Sequence, residues 1–346
     1  MTIERMIVAG ASAGGVESLI AFTASLPDDF SAPIFVVMHL APNYVSKLPE
    51  ILARKCPLPV RHPQDNEKFQ PGHVYVAPPD HHMLIEDDCV IVTRGPKENR
   101  NRPSVDALFR SAAYYYREKV IGIVLSGALD DGTSGLWNIK RMGGIAIAQE
   151  LAECMVDSMP ASAMQQVDID HVVSAAAMGP LVDRLVRESV QATPTGSEKV
   201  HRVMGLEVSI AVEGDAFEKG IMDVGKLSPF ACPECHGVLV ELNEGGRSRF
   251  RCHTGHAYSS SALIAEISGS VDDSYWKAMR GLEEAAMLLE KAGRELHDEN
   301  QIAAAGVFRA QAKVARDQAL KLRDTVLSSQ RYSGDSLLQK AGKDEE

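Results

Sequence analysis

No stretch of this chain approaches the roughly 20 consecutive apolar residues that cross a bilayer, so membrane insertion is not expected. Nor is there a basic excess. The formal net charge is -11, and neutralising phosphates requires clustered Lys and Arg, which argues against nucleic acid as a partner and leaves proteins or small molecules. Cysteine is sparse: six residues, three in the first half and three close together late, do not suggest an oxidised framework. The opening Met1-Thr2-Ile3-Glu4-Arg5 lacks the basic head, apolar core and small-residue cleavage site of a secretory leader, and a cytoplasmic location is expected. No sequence repeat is evident. What is present is an ordinary globular composition, 45% apolar over 346 residues, enough for two or more domains that each bury a core.

From residue 6 to about 186, short β-rich runs alternate with longer amphipathic stretches, the pattern of a doubly wound, mostly parallel α/β sheet. Strands are expected at Met6–Ala9, Ile34–His39, Val60–His62, Val74–Ala77, Val90–Thr93, Gly122–Ser126, Ile145–Gln149 and Asp170–Val173. Helical character is expected around Gly15–Ser25, Tyr44–Lys55, Ser104–Arg117, Gly132–Met142, Pro160–Gln165 and Met178–Glu188. Val74–Ala77 and Val90–Thr93, joined by polar residues, are alternatively read as a hairpin on a sheet edge. The polar, Pro- and Gly-bearing Val190–Ser197 ends the first domain. The expected division is therefore 1–190 catalytic domain, 191–229 linker of uncertain structure, 230–258 Cys/His module, 259–330 helical hairpin and 331–346 flexible tail.

Gly10-Ala11-Ser12-Ala13-Gly14-Gly15 follows the apolar run Met6-Ile7-Val8-Ala9 and fits Gly-x-Ser-x-Gly. Small flanking residues there allow a sharp strand-to-helix turn that lifts a serine oxygen clear of the sheet and leaves backbone N–H groups free to face an oxyanion. A nucleophile, a phosphate-cradling loop and a plain tight turn all remain open on this turn alone. Ser12 stands where a dinucleotide loop has its second glycine, and His39 where it has a ribose-binding acid, which count against the phosphate loop.

A serine at its free pKa needs a base in reach and a carboxylate to orient that base. Ile34-Phe35-Val36-Val37-Met38 runs straight into His39, and Ile121-Gly122-Ile123-Val124-Leu125 runs into Ser126-Gly127-Ala128-Leu129-Asp130-Asp131-Gly132. Ser12, His39 and Asp131 would then share the carboxyl rim of one sheet, where open α/β sheets gather their sites. The competing roles are a capped or core histidine at His39 and a helix N-cap at the aspartates.

Taken in order, these blocks, with Pro71-Gly72-His73-Val74-Tyr75-Val76-Ala77-Pro78, Asn101-Arg102-Pro103-Ser104-Val105-Asp106, Gln149-Glu150 and Ser158-Met159-Pro160, resemble the catalytic domain of the chemotaxis protein-glutamate methylesterases, the CheB family, over roughly residues 6 to 186. The resemblance implies Ser12 as nucleophile, His39 as general base and Asp131 as orienting acid. It implies hydrolysis of γ-glutamyl methyl esters on methylated chemoreceptors, with glutamine deamidation as a related activity and no cofactor for catalysis. Backbone N–H groups of Ala13 and Ala128 would receive the oxyanion, and Arg100, Arg102 and Ser104 are candidates to line the substrate groove, with helix capping the other role of Ser104. The chain departs from the family pattern where Ala13 replaces a threonine and in the acid loop, whose usual Gly-Met-Gly-Asn-Asp-Gly reads Gly127-Ala128-Leu129-Asp130-Asp131-Gly132, with Asp130 a second carboxylate beside Asp131. Family members often carry an N-terminal receiver domain; none precedes Met6 here, so a regulator acting in trans is expected. The alternative reading is a non-catalytic signalling scaffold.

Cys232-Pro233-Glu234-Cys235 and, sixteen residues later, Cys252-His253-Thr254-Gly255-His256 supply two short-spaced ligand pairs. Two strands, Gly237–Leu242 and Ser248–Arg251, with a turn at Asn243–Arg247, would bridge them in zinc-ribbon fashion. Cys232, Cys235, Cys252 and His256 are the expected ligands of a structural zinc, with His253 the alternative fourth ligand and thiol redox chemistry the alternative use. Because the module reads as separate, the catalytic domain is expected to work without it. Farther on, Leu282, Ala285, Ala286, Leu289, Ala292 and Leu296 make one apolar stripe and Ala304, Val307, Phe308, Ala315, Ala319, Leu322 and Val326 another. A helical hairpin broken near Asn300 follows, with a partner-binding coiled coil as the other possibility.

Overall fold

Apolar runs without polar alternation become strands covered on both faces. In the computed structural model, which describes residues 4–43, 45–190 and 198–328, β1 (Met6–Ala11) is buried along its whole length and leads into α1 (Gly15–Ala24). The chain continues through β2 (Ile34–Met38), the short α2 (Leu48–Ala53), β3 (Val60–Arg61), β4 (Glu67–Lys68), β5 (Val74–Val76), β6 (His82–Glu86) and β7 (Cys89–Thr93). Next come α3 (Val105–Tyr116), β8 (Val120–Val124), α4 (Thr133–Arg141), β9 (Ile145–Gln149), α5 (Ser158–Gln166), β10 (His171–Val173) and α6 (Ala175–Arg187). Seven of these strands form one sheet in the order β10-β9-β8-β1-β2-β5-β3, every pair parallel.

Alternation along each strand divides the core into two layers. Met6, Val8, Phe35 and Val37 join Leu108, Phe109, Leu136 and Met159 on one face. Ile7, Ala9, Ile34 and Val36 join Leu19, Phe22, Met178 and Val182 on the other. Gly10 belongs where it is for want of space: a Cβ there would lie 2.2 Å from Cγ1 of Val105. The start of α3 therefore presses directly on the end of β1.

The edge hairpin differs from the expected one. β5 pairs in parallel with β2 and β3, while β7 pairs antiparallel with β6 and β4 in a separate three-stranded sheet. The missing partner was His82–Glu86, whose apolar Met83-Leu84-Ile85 lies between two polar ends and was read as part of the connection.

Beyond residue 197 the uncertain stretch resolves into α7 (Glu198–Glu213) and α8 (Ile221–Val224). A four-stranded antiparallel sheet follows: β11 (Lys226–Ala231), β12 (Val238–Glu244), β13 (Arg247–Cys252) and β14 (Ala257–Ser259), in that order. The β12–β13 turn is tighter than expected, only Gly245 and Gly246, both at positive φ (62° and 92°), as the type I′ hairpin turn requires. The expected boundary at 191–197 lies outside the described residues. The described residues up to 262 make one compact unit, in which this second sheet belongs with the α/β sheet, and those from 263 make another. The later unit is built from α9 (Ser260–Asp298) and α10 (Ile302–Ser328), which turn at Asn300 with φ 64°. Ala286, Ala305, Ala312, Ala315 and Ala319 are buried and Arg316 pairs with Glu290 at 2.5 Å, so the apolar stripes close on each other. Val307, counted in the second stripe, faces outward, 67% exposed.

Candidate active site

Register sets the site. Ala11 pairs with Met38 and Gly10 with Val124, so β1, β2 and β8 end side by side and the residues that follow share one rim. Ser12 N–H donates to the Ser126 carbonyl (2.9 Å), His39 N–H to the Ala11 carbonyl (3.1 Å) and Leu125 N–H to the Gly10 carbonyl (2.9 Å), which extends the ladder one step into each loop. The serine turn closes through Gly15 N–H on the Ser12 carbonyl (2.9 Å), with Gly14 in the left-handed region at φ 71°. A side chain at Gly14 would also strike Met155 Cβ at 2.4 Å.

Three side chains connect across this rim. His39 Nδ1 lies 3.1 Å from Ser12 Oγ, and His39 Nε2 lies 2.7 Å from Asp131 Oδ2. Asp131 Oδ2 also accepts the Val105 N–H (2.8 Å). Its Oδ1 accepts from Asn99 Nδ2 (3.0 Å), Ser104 Oγ (2.9 Å), Asp106 N–H (3.2 Å) and Gly132 N–H (3.1 Å). Two of these donors are first-turn amides of α3, which a carboxylate satisfies well. Burial alone would raise the Asp131 carboxyl, but the His39 hydrogen bond and charge, with Asn99 and the Val105 amide, hold it well below the usual carboxylate range. Its neighbour Asp106 moves the other way, pushed well above the ordinary value by burial and by the charge of Asp131. An ionised Asp131 fixes the proton on Nε2 of His39, so Nδ1 is left as an acceptor toward Ser12.

Two backbone N–H groups in the loops that follow β1 and β8 are left over. Among the described residues, the N–H groups of Ala13 and Ala128 donate to no protein acceptor, whereas Gly127 N–H is taken by the Val156 carbonyl (2.9 Å). Ser126 is fixed by Gln149 Oε1 on its N–H (2.9 Å) and donates its hydroxyl to the Ala13 carbonyl (2.9 Å).

Asp130 is not on the histidine: its Oδ1 accepts the Ser259 hydroxyl at 2.7 Å. Of the expected groove residues, Ser104 needs correction. Ser104 is fully buried and gives its hydroxyl to Asp131, making no side-chain cap to α3. Arg102 is held by Asp80 (2.6 and 2.9 Å) and by the Gly95 carbonyl (2.9 Å), and Arg100 remains exposed. Sequence reasoning passed over Asn99 and His82. Buried His82 accepts the Ser104 N–H on Nδ1 (3.2 Å) and donates Nε2–H to the Pro96 carbonyl (2.9 Å); burial holds its pKa below the ordinary value despite Glu98 nearby. Neither residue belongs to a spacing motif, so only the fold reveals them.

Residues 7–182 match the model of the CheB methylesterase family. The chain belongs to that family. A crystal structure of the Thermotoga maritima CheB methylesterase catalytic domain is 34% identical with a TM-score of 0.51, covering 53% of this chain and all of that one. A Photorhabdus laumondii protein-glutamate methylesterase/protein-glutamine glutaminase is 35% identical over 182 residues, 51% of this chain and 52% of its own length. A Leptospira interrogans protein that carries the same name provisionally is 36% identical over 186 residues, 54% of this chain and 96% of its own. The CheB match thus takes in the whole α/β sheet and stops before the second sheet.

That second sheet has a cluster of its own. Cys232, Cys235, Cys252 and His256 bring four ligand atoms within 4.8 Å of one another, a group able to hold a metal ion. His253 is not among them; its ring lies against Gly237 and near the Thr254 hydroxyl. A buried ion cluster ties the second sheet to α3, α7 and the loop before α3: Glu98 and Glu207 meet Arg110, Arg249 and Arg251, with Arg251 2.7 Å from Glu98 and 2.9 Å from Glu207. Among the described residues no helix is long and apolar enough to cross a membrane.

Proposed function

We propose that this chain is a protein-glutamate methylesterase that hydrolyses γ-glutamyl methyl esters on a methylated chemoreceptor, with glutamine deamidation as a second reaction of the same site. The observation that carries the reading is the unbroken hydrogen-bond chain from Ser12 through His39 to Asp131, 3.1 and 2.7 Å long. Ser12 Oγ attacks the ester carbonyl carbon while its proton passes to His39 Nδ1. The carbonyl oxygen, now an oxyanion, accepts from the N–H groups of Ala13 and Ala128. Collapse breaks the ester C–O bond, and the methoxide takes the proton from His39 and leaves as methanol. A water molecule, deprotonated by the same nitrogen, then hydrolyses the acyl-serine to a glutamate carboxylate and free Ser12. With a glutamine side chain the leaving group is ammonia instead.

The Cys/His cluster we read as a structural zinc site. Three of the ligand–ligand separations, Cys232–His256 (3.7 Å), Cys235–Cys252 (3.5 Å) and Cys252–His256 (3.6 Å), match the roughly 3.6 to 3.8 Å edges of a tetrahedron with ordinary Zn–S and Zn–N bonds. Cys235 and Cys252 are too far apart for a disulfide, whose sulfurs sit about 2.05 Å apart. Four protein ligands leave no open position for catalysis at the metal.

The test is methanol release from methylated receptor membranes by the full chain and by Ser12→Ala. The variant is expected to lose on the order of 10^4-fold or more while remaining folded, since triad members act as a unit. A folded Ser12→Ala that keeps most of the activity would overturn the mechanism.

A further inference from the structure

The zinc cluster and the catalytic triad are joined by a short path. Cys252 and His256 flank the turn between β13 and β14, and Cys252 N–H donates to the His256 carbonyl across it at 2.9 Å. β14 begins at the next residue. On one side it pairs with β13; on the other it lies along the loop before α3, with Asn99 N–H on the Ala257 carbonyl (2.8 Å) and Ala257 N–H on the Lys97 carbonyl (3.2 Å). Ser259 N–H then donates to Asn99 Oδ1 (2.8 Å). That bond fixes which way the amide of Asn99 faces, so that Nδ2 donates to both Asp131 Oδ1 (3.0 Å) and Asp106 Oδ2 (2.8 Å). Asn99 is 3% exposed and sits at φ 47°, a left-handed conformation that its surroundings must hold.

Two further contacts run along the same path. Ser259 Oγ donates to Asp130, which keeps the extra carboxylate turned away from His39. Glu234, between the first two cysteines, lies 3.4 Å from Nε2 of His256 and 3.3 Å from Nζ of Lys97, a carboxylate on the nitrogen that a ligating imidazole leaves free.

We propose that zinc at Cys232, Cys235, Cys252 and His256 is a positioning element of the active site: by pinning the turn from which β14 leaves, it holds Asn99 on Asp131. The inference rests on the hydrolase and zinc readings above and adds a dependence of the one on the other. Asn99 is the positioning residue and acts through Asp131 on His39. The expectation that the α/β part works alone is thereby replaced.

The experiment uses the full chain, its zinc content measured by metal analysis, then stripped with a chelator under reducing conditions and reloaded with zinc alone. Two readouts are followed: labelling of Ser12 by a fluorophosphonate across pH, and hydrogen exchange of the Val105 and Asp106 amides that donate to Asp131. Stripping is expected to slow labelling about 10- to 100-fold, to move the pH profile and to speed exchange at those amides, with the β1–β2 core still protected; zinc reverses all three. Asn99→Ala should keep its zinc, show the same slow labelling and displaced profile, and lose nothing more on stripping. The proposal falls if the full chain binds no zinc, if stripping changes neither readout, if it unfolds the core, or if it costs Asn99→Ala as much as the native chain. Should native Ser12 prove unreactive, the hydrolase reading fails by itself, and exchange at Val105 and Asp106 still decides the clamp.

Discussion

β1 is buried at all six positions, whereas β11 exposes five of its six. The α/β sheet has helices on both faces and two apolar layers, so its strand ends, and the chemistry on them, are held by packing. The second sheet has a small core around Val240, Leu242, Ile210 and Ile221. It relies on polar groups instead: the Cys/His cluster at one end and the Glu98, Glu207, Arg110, Arg249 and Arg251 cluster against α3 and α7. Both regions bury charge. In the first, amides feed a carboxylate that leaves one imidazole nitrogen free to accept; in the second, Glu98, Glu207 and Glu244 are set against Arg110, Arg249 and Arg251.

The largest expected effect lies on the packed side. Asp131→Asn should lower methanol release by about 10^4-fold, because an amide cannot hold the His39 tautomer, and His39→Gln should cost at least as much. Next come changes to what holds each region. Glu207→Gln should destabilise by about 3–5 kcal/mol by leaving buried arginines unmatched, and Leu19→Ala by about 2–5 kcal/mol through a cavity, both read from urea unfolding. A Glu207→Gln chain as stable as the parent would erase the contrast.

Acid sharpens it. Burial alone would raise the Glu207 carboxyl, but Arg249, Arg110 and Arg251 hold it well below the usual range, and Glu98 is lowered by the same arginines against its own burial. Carboxyls depressed in the folded state contribute stability that is complete above their unfolded value, about pH 4, and is lost as pH falls toward the folded value. The urea midpoint should therefore drop steeply below about pH 4, and less steeply in Glu207→Gln. Smallest of all, Leu227→Ala on β11, where the side chain is 70% exposed, should change stability by no more than about 0.5 kcal/mol.

Ser12, His39 and Asp131 were legible because each follows an apolar run that can only be a strand, and parallel strands end together. The Cys/His cluster was legible because its spacing is local. What escaped depends on side chains that meet from distant loops. Ser104 reads as a groove or cap residue until the approach of Asp131 is known, and Asn99 carries no signal until β14 lies beside it. Glu207 fell in a stretch with no recognised pattern, and its arginine partners come from two separate elements, Arg110 on α3 and Arg249 and Arg251 on β13. The separation at residue 190 failed to suggest itself as anything but a boundary, because charged pairs across 150 residues leave no periodic trace.

β1 places odd-numbered Ile7, Ala9 and Ala11 in one apolar layer and even-numbered Met6 and Val8 in the other. Ser12 inherits its direction from that parity. Loss or gain of one residue within β1 would keep the composition of the turn, yet rotate every later side chain to the opposite face and aim the hydroxyl away from His39. The reactive oxygen is thus encoded by an even count as much as by a serine.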